Sequence, residues 1–157
     1  VMQDGDFTLA DSSAICLYLD RKQPAPPILP ADIRDYARVL WFDAYAGGTI
    51  FRHVVHPLFA QTIVGPNIRN VPTDKAVVDD VLMNVQPKIL GYLDRQIAGK
   101  FLVGDAMTLA DIACGCTLGY LDLRFAEIDW RGAHPNLARL ADKLATRASF
   151  KDTLPVT

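Results

Sequence analysis

The chain has 157 residues, 50% hydrophobic and 22% charged, with mean hydropathy +0.14, enough apolar content for a packed core and too much for a disordered chain. Net charge is −2 with the 16 basic residues scattered, which argues against nucleic acid as a partner, and no apolar run nears the roughly 18 residues of a membrane span. Three sparse cysteines, Cys16, Cys114 and Cys116, do not make a disulfide framework, and with no secretory leader in view the expected location is cytoplasmic.

The opening Val1-Met2-Gln3 reads as the interior of a longer sequence. Residues 1–9 form two short runs joined by Asp4-Gly5, a pair that favours a type I′ turn, so a hairpin is expected. Ala10-Asp11-Ser12-Ser13 then precedes Ala14, Ile15, Tyr18 and Leu19 at helical spacing, which predicts a capped helix ending by Gln23. Gln23–Pro30 holds four of the ten prolines and reads as a stiff linker, placing a domain boundary between residues 1–22 and residues 31–157.

Everything after Pro30 carries the helical period. Asp32 is a candidate N-cap for a long helix with Ile33, Tyr36, Ala37, Leu40, Ala44 and Tyr45 on one face, continuing to about Phe59 with bends at Gly47-Gly48 and Pro57. Gly65–Pro72 reads as a loop, after which Thr73 is expected to cap a second long helix that Pro87 kinks. Gly99–Asp105 is a connection, Leu109 to about Leu123 a third helix, and Asn136 to about Arg147 a fourth. The expected fold is therefore mainly α: a helical bundle preceded by a hairpin and one helix.

Two local patterns carry a mechanism. Thr108-Leu109-Ala110-Asp111 spells a capping box with Asp in place of the commoner Glu, and the helix behind it is built of small residues, Ala113, Cys114, Gly115, Thr117 and Gly119. That reads as the buried centre of the bundle, with a folding role. Asp11-Ser12 stands where a strand meets a helix, and free amides plus the helix dipole there make a site for a carboxylate or phosphate, with Asp11 able to pair with an ammonium. The plainer reading is that Asp11 or Ser12 only caps the helix. Cys114 and Cys116 lie about 200° apart on a helix and cannot share a metal, so core packing is expected for both, a structural role for Cys16, and no metal site. His134, before Pro135, reads as a turn residue.

The order of these pieces resembles a family. Leu9-Ala10-Asp11-Ser12-Ser13-Ala14-Ile15, the Pro-rich linker, Phe101-Leu102-Val103-Gly104-Asp105 leading into Thr108-Leu109-Ala110-Asp111-Ile112-Ala113, then His134-Pro135-Asn136-Leu137 and Arg147-Ala148-Ser149-Phe150, are similar to a cytosolic glutathione transferase of bacterial type over nearly the whole length. The resemblance implies that residues 1–22 are the end of a thioredoxin-like glutathione-binding domain and 31–157 the all-helical C-terminal domain. It implies that Asp11, where many members have Glu, and Ser12 hold the γ-glutamyl end of glutathione. The family's cis-proline and its catalytic Ser, Tyr or Cys are expected upstream of Val1, so this chain alone is expected not to catalyse conjugation. The resemblance puts a pocket for a small hydrophobic electrophile on the later half of the first long helix, with Tyr45, Thr49, Arg52 and His53 as candidates and His56 behind them. Glutathione as co-substrate and a homodimer are implied. The alternative is a non-catalytic protein-interaction module of the same fold.

Overall fold

The computed structural model describes residues 1–155. Strand β1 (Met2–Asp4) pairs antiparallel with β2 (Phe7–Leu9) in the register Met2 to Leu9, Gln3 to Thr8 and Asp4 to Phe7. The two-residue loop is therefore Gly5-Asp6, one residue later than expected. Positive φ falls on Gly5 alone, at 63°, which is the sign pattern of a type II′ turn and corrects the type I′ expectation. Asp4 thereby stays in the strand, where it accepts a 2.6 Å hydrogen bond from the Tyr18 hydroxyl and pairs with Lys22, holding the hairpin against helix α1 (Ser12–Lys22).

Helix α1 ends where expected, with the Gln23 amide returning to the Leu19 carbonyl at 2.8 Å. The prolines that follow keep residues 23–32 out of helix and strand, yet the segment is pinned. Buried Asp20 accepts the Ile28 amide at 2.7 Å, and the Ile28 carbonyl accepts the Leu109 amide at 2.9 Å.

Asp32 caps α2 (Ile33–Ala44), accepting the amides of Arg34 at 2.9 Å and Asp35 at 3.0 Å. Winding then continues unbroken through wider, i→i−5 bonded π turns (Tyr45–Val55), α3 (His56–Phe59) and a second π segment (Ala60–Arg69). The bends expected at Gly47-Gly48 and Pro57 are taken up as these wide turns. The loop expected over Gly65–Pro72 is corrected likewise, because helical winding passes through Pro66 and stops only at Asn70, in the left-handed region at φ 54°, with the Val71 amide on the Gly65 carbonyl at 2.9 Å. Gly65 permits that close winding: a Cβ there would sit 3.2 Å from the Ala60 carbonyl oxygen.

Asp74, and not Thr73, caps α4 (Lys75–Asp80), accepting the Ala76 amide at 2.9 Å, while the Thr73 hydroxyl donates to the Gln61 carbonyl instead. A third π segment (Val81–Val85) leads without a break into α5 (Gln86–Gln96), so the winding changes from wide to α turns next to Pro87, where a kink is expected. The remaining helices are α6 (Leu109–Arg124), α7 (Trp130–Ala133), α8 (Pro135–Ala145) and α9 (Ala148–Lys151), of which α7 and α9 were not expected. Their first turns follow local chemistry: Asp129 caps α7, and Pro135 opens α8.

Helix α6 is the centre of this mainly helical fold. Ala110, Cys114, Leu118 and Leu121 on it are buried at spacings of three and four, against Val39, Phe42, Ile50 and Val54 on one side and Leu137, Leu140 and Leu144 on the other. Each fully buried Leu, Ile or Val contributes about 1.5–3 kcal/mol. Gly115 lets α8 and α9 close on α6, since a Cβ there would meet Leu144 Cδ1 at 2.7 Å and Phe150 Cε1 at 2.9 Å. The start of α8 is capped across the fold: buried Asp94 of α5 accepts the amides of Asn136 at 2.8 Å and Leu137 at 2.9 Å. His134 beside it is buried too, its Nε2 3.4 Å from Gln86 Nε2, and burial pushes its pKa down while Asp94 pulls it up.

Candidate active site

Asp11 is both a cap and a strained residue. Its Oδ1 accepts the Ala14 amide at 3.0 Å and its carbonyl the Ile15 amide at 3.0 Å, so it opens α1 as an N-cap. Its backbone stands at φ 77° and ψ 128°, a region that L residues seldom enter and that costs on the order of 1–3 kcal/mol. The carboxylate cap offsets part of that cost. Asp11 and Ser12 are both exposed, at the positive end of the helix dipole, where the first amides of α1 have no partner within the helix.

Beside this helix start lies a cleft of about 290 Å³. Ser12, Ser13 and Cys16 of α1 form one wall; Asp43 and Gly47 form another; Leu109, Ile112, Ala113, Cys116 and Thr117 of α6 close it. The lining is mostly apolar, and Thr117 spends its hydroxyl on the Ala113 carbonyl of its own helix at 2.9 Å. Polar chemistry therefore rests on the Ser12 and Ser13 hydroxyls, the Asp43 carboxylate and two thiols. Burial and then the nearby Asp43 raise the Cys16 pKa, and burial raises that of Cys116, so both are neutral thiols at neutral pH and neither is an activated nucleophile.

This cleft corrects one expectation. Cys116, expected in the core with Cys114, is exposed and lines the cleft; the 200° between the two positions puts one sulfur in the core and turns the other out. Cys16 is half-buried on the opposite wall. Tyr45, Thr49, Arg52 and His53 are not among the lining residues, because Asp43 and Gly47 are the positions of this long helix that turn toward α1. Tyr45 instead ties the start of the π turns after α2 to α5, its hydroxyl donating to the Ile89 carbonyl at 3.1 Å and its ring 5.5 Å from that of Tyr92. Thr49 is half-buried next to Ile50, whereas Arg52, His53 and His56 are exposed. Asp43 and Gly47 carried only a weak signal, an acid and a small residue four apart on a helix that also bears Arg34, Asp35 and Arg38. The Asp94 cap of α8, 42 residues away in sequence, carried none.

The Thr108 and Asp111 side chains meet at the start of α6. Asp111 is fully buried and accepts the amides of Leu102 and Thr108, both at 2.8 Å, and the Thr108 hydroxyl at 2.9 Å. Burial raises its pKa even so, the hydrogen bonds countering only in part. Among the described residues, no three His, Cys, Asp or Glu side chains converge to hold a metal ion, and no helix is long and apolar enough to cross a membrane.

Comparison with known proteins is consistent with this architecture. Residues 80–143 match the family model "Glutathione S-transferase, C-terminal domain". The chain is 30% identical over 154 residues to the uncharacterized GST-like protein YibF of Escherichia coli K12, covering 92% of this chain and 68% of that protein. It is 28% identical over 113 residues to a probable glutathione S-transferase of Oryza sativa subsp. japonica, covering 71% of this chain and 52% of the relative, so it spans about half the length of that curated relative. A crystal structure of a glutathione S-transferase from Methylobacillus flagellatus KT with GSH bound superposes with TM-score 0.77 at 36% identity, covering 94% of this chain and 70% of that one. With a mainly helical bundle behind a hairpin and these similarities along nearly all of its length, the chain belongs to the glutathione S-transferase family.

Proposed function

We propose that this chain is the helical part, with the adjoining hairpin and helix, of a glutathione transferase that conjugates the glutathione thiolate to small hydrophobic electrophiles. The observation that carries the reading is Asp11: an L residue held at φ 77° at an exposed helix start, beside a mostly apolar cleft. Strain of this kind is retained where the surroundings hold a residue for a task. In this reading Oδ2 of Asp11 takes the ammonium of the γ-glutamyl group, while the Ser12 hydroxyl and the free amides of α1 take its α-carboxylate. The cleft against α6 takes the apolar partner. That the structural relative from Methylobacillus flagellatus is described with GSH bound supports the ligand.

Chemistry needs one further group. A free thiol has a pKa of about 8.5, so a donor beside the sulfur must hold the thiolate before it attacks the electrophilic carbon and expels the leaving group. Both cleft thiols have raised pKa values, and the reading places the activating Ser, Tyr or Cys upstream of Val1. The working protein is proposed to be a cytoplasmic homodimer, for which the exposed Trp41 and Phe51 on the long helix offer apolar surface.

Glutathione titration followed by amide NMR tests the site. The Ser12 and Ser13 amides should shift; Asp11→Asn, which keeps an acceptor for the Ala14 amide, should leave the fold unchanged and weaken glutathione about tenfold, the loss of one charge-assisted bond. No shift at Ser12 or Ser13 at any glutathione concentration rejects the reading and favours the non-catalytic interaction module. The chain by itself should not accelerate conjugation of a chlorinated aromatic acceptor.

A further inference from the structure

We propose that Cys16 and Cys116 form a redox pair, oxidised by a small-molecule disulfide to a bond that joins α1 to α6 and closes the cleft between them. The two thiols open into one cleft from opposite walls, Cys16 on α1 and Cys116 on α6. An ionised Cys116 would, after burial and Asp43, raise the Cys16 pKa further, as expected of two groups that face one cleft. Cys114, two residues from Cys116, is buried in the core on the other side of α6 and takes no part.

The anchoring of α1 fits such a closure. Its second half is tied through Asp20 to Ile28, whereas Ser12, Ser13 and Cys16 border the open cleft. Closing the cleft must bring the two Cα atoms within the roughly 4.4–6.8 Å that a disulfide spans.

Exposed Cys116 reacts first. Its thiolate, after losing a proton to solvent, attacks glutathione disulfide; a Cys116–glutathione disulfide forms and one glutathione leaves as thiolate. The Cys16 thiolate then attacks the Cys116 sulfur, forming the Cys16–Cys116 bond and releasing the second glutathione. Two protein thiols are oxidised and one small disulfide is reduced to two thiols, so protons and electrons balance. Because both pKa values are raised, the reaction is slow at neutral pH and needs an oxidising pool.

The test incubates the full chain with glutathione disulfide, blocks residual thiols with N-ethylmaleimide, and maps peptides by mass. The expected product is lighter by about 2 Da with a linked Cys16–Cys116 peptide, and its thermal midpoint is higher by at least about 5 °C, as expected for closing a loop of some 100 residues. Bis(2-hydroxyethyl) disulfide, which lacks a γ-glutamyl group, should give the same link, so the outcome does not depend on a glutathione site. Cys116→Ser, at an exposed position that leaves the fold intact, should abolish the link. A stable adduct of about 305 Da on Cys116 with Cys16 still free, or no reaction of either thiol, overturns the proposal.

Discussion

Replacing Asp111 by alanine removes an acceptor that three donors share in a fully buried place. The Leu102 and Thr108 amides then lose their partner with no water to replace it, at about 1–3 kcal/mol each. The reciprocal cap of α6 goes too, worth about 1 kcal/mol, although these losses overlap. A total of about 3–5 kcal/mol is expected, a large fraction of the roughly 5–15 kcal/mol that holds a domain folded. Urea unfolding followed by circular dichroism reads it directly: at a slope of about 2 kcal/mol per molar urea, the midpoint should fall by about 1.5–2.5 M. Asp111→Asn should fall between, since its single carbonyl oxygen can serve only part of the set and its amide adds donors where donors already crowd. A midpoint drop under about 0.5 M for the alanine variant would mean that the buried amides find other partners and that the reasoning is wrong.

Two glycines of α6 should respond with opposite signs. Gly115→Ala drives a Cβ to 2.7 Å from Leu144 Cδ1 and should cost about 1–3 kcal/mol, whereas Gly119→Ala meets nothing within 4 Å and should gain up to about 1 kcal/mol of helix propensity, both read as thermal midpoints. His134 sets a pH dependence. Its folded pKa lies below its unfolded value of about 6.5, so the unfolded chain binds more protons between the two; stability is full above about pH 6.5 and falls as pH drops toward the folded pKa. His134→Gln should flatten that slope in urea midpoints measured from pH 5 to 8, and an unchanged slope would rule the group out.

Much of the fold was legible because its determinants are local. Asp32 and Thr108 with Asp111 are caps whose partners lie within three residues, and the period of α6 shows through its small residues. Errors arose where a non-local arrangement overrode a local sign. Gly65-Pro66 looks like a loop, but wide helical turns absorb a proline by shifting hydrogen-bond partners. Thr73 lost its cap role to Asp74 because the Gln61 carbonyl was within its reach. Of the site, Asp11 and Ser12 were legible as the junction of strand and helix. The cleft was not: Asp43 and Cys116 come together only through helix packing, and the same packing took Tyr45 away to α5.

The pinned linker has a consequence for how this sequence can drift. Within Pro26–Pro30, three residues have no N–H to offer, so Ile28 and Leu29 hold the only donors, and Ile28 uses its donor on Asp20 and its acceptor on Leu109. A single residue thus acts as the rivet between the end of α1 and the first residue of the central helix. Because both bonds are made by main-chain atoms, most side chains at position 28 preserve the joint. Proline is the exception, and there, amid neighbours that are mostly proline, one more would unfasten it while looking like the most conservative change in the stretch.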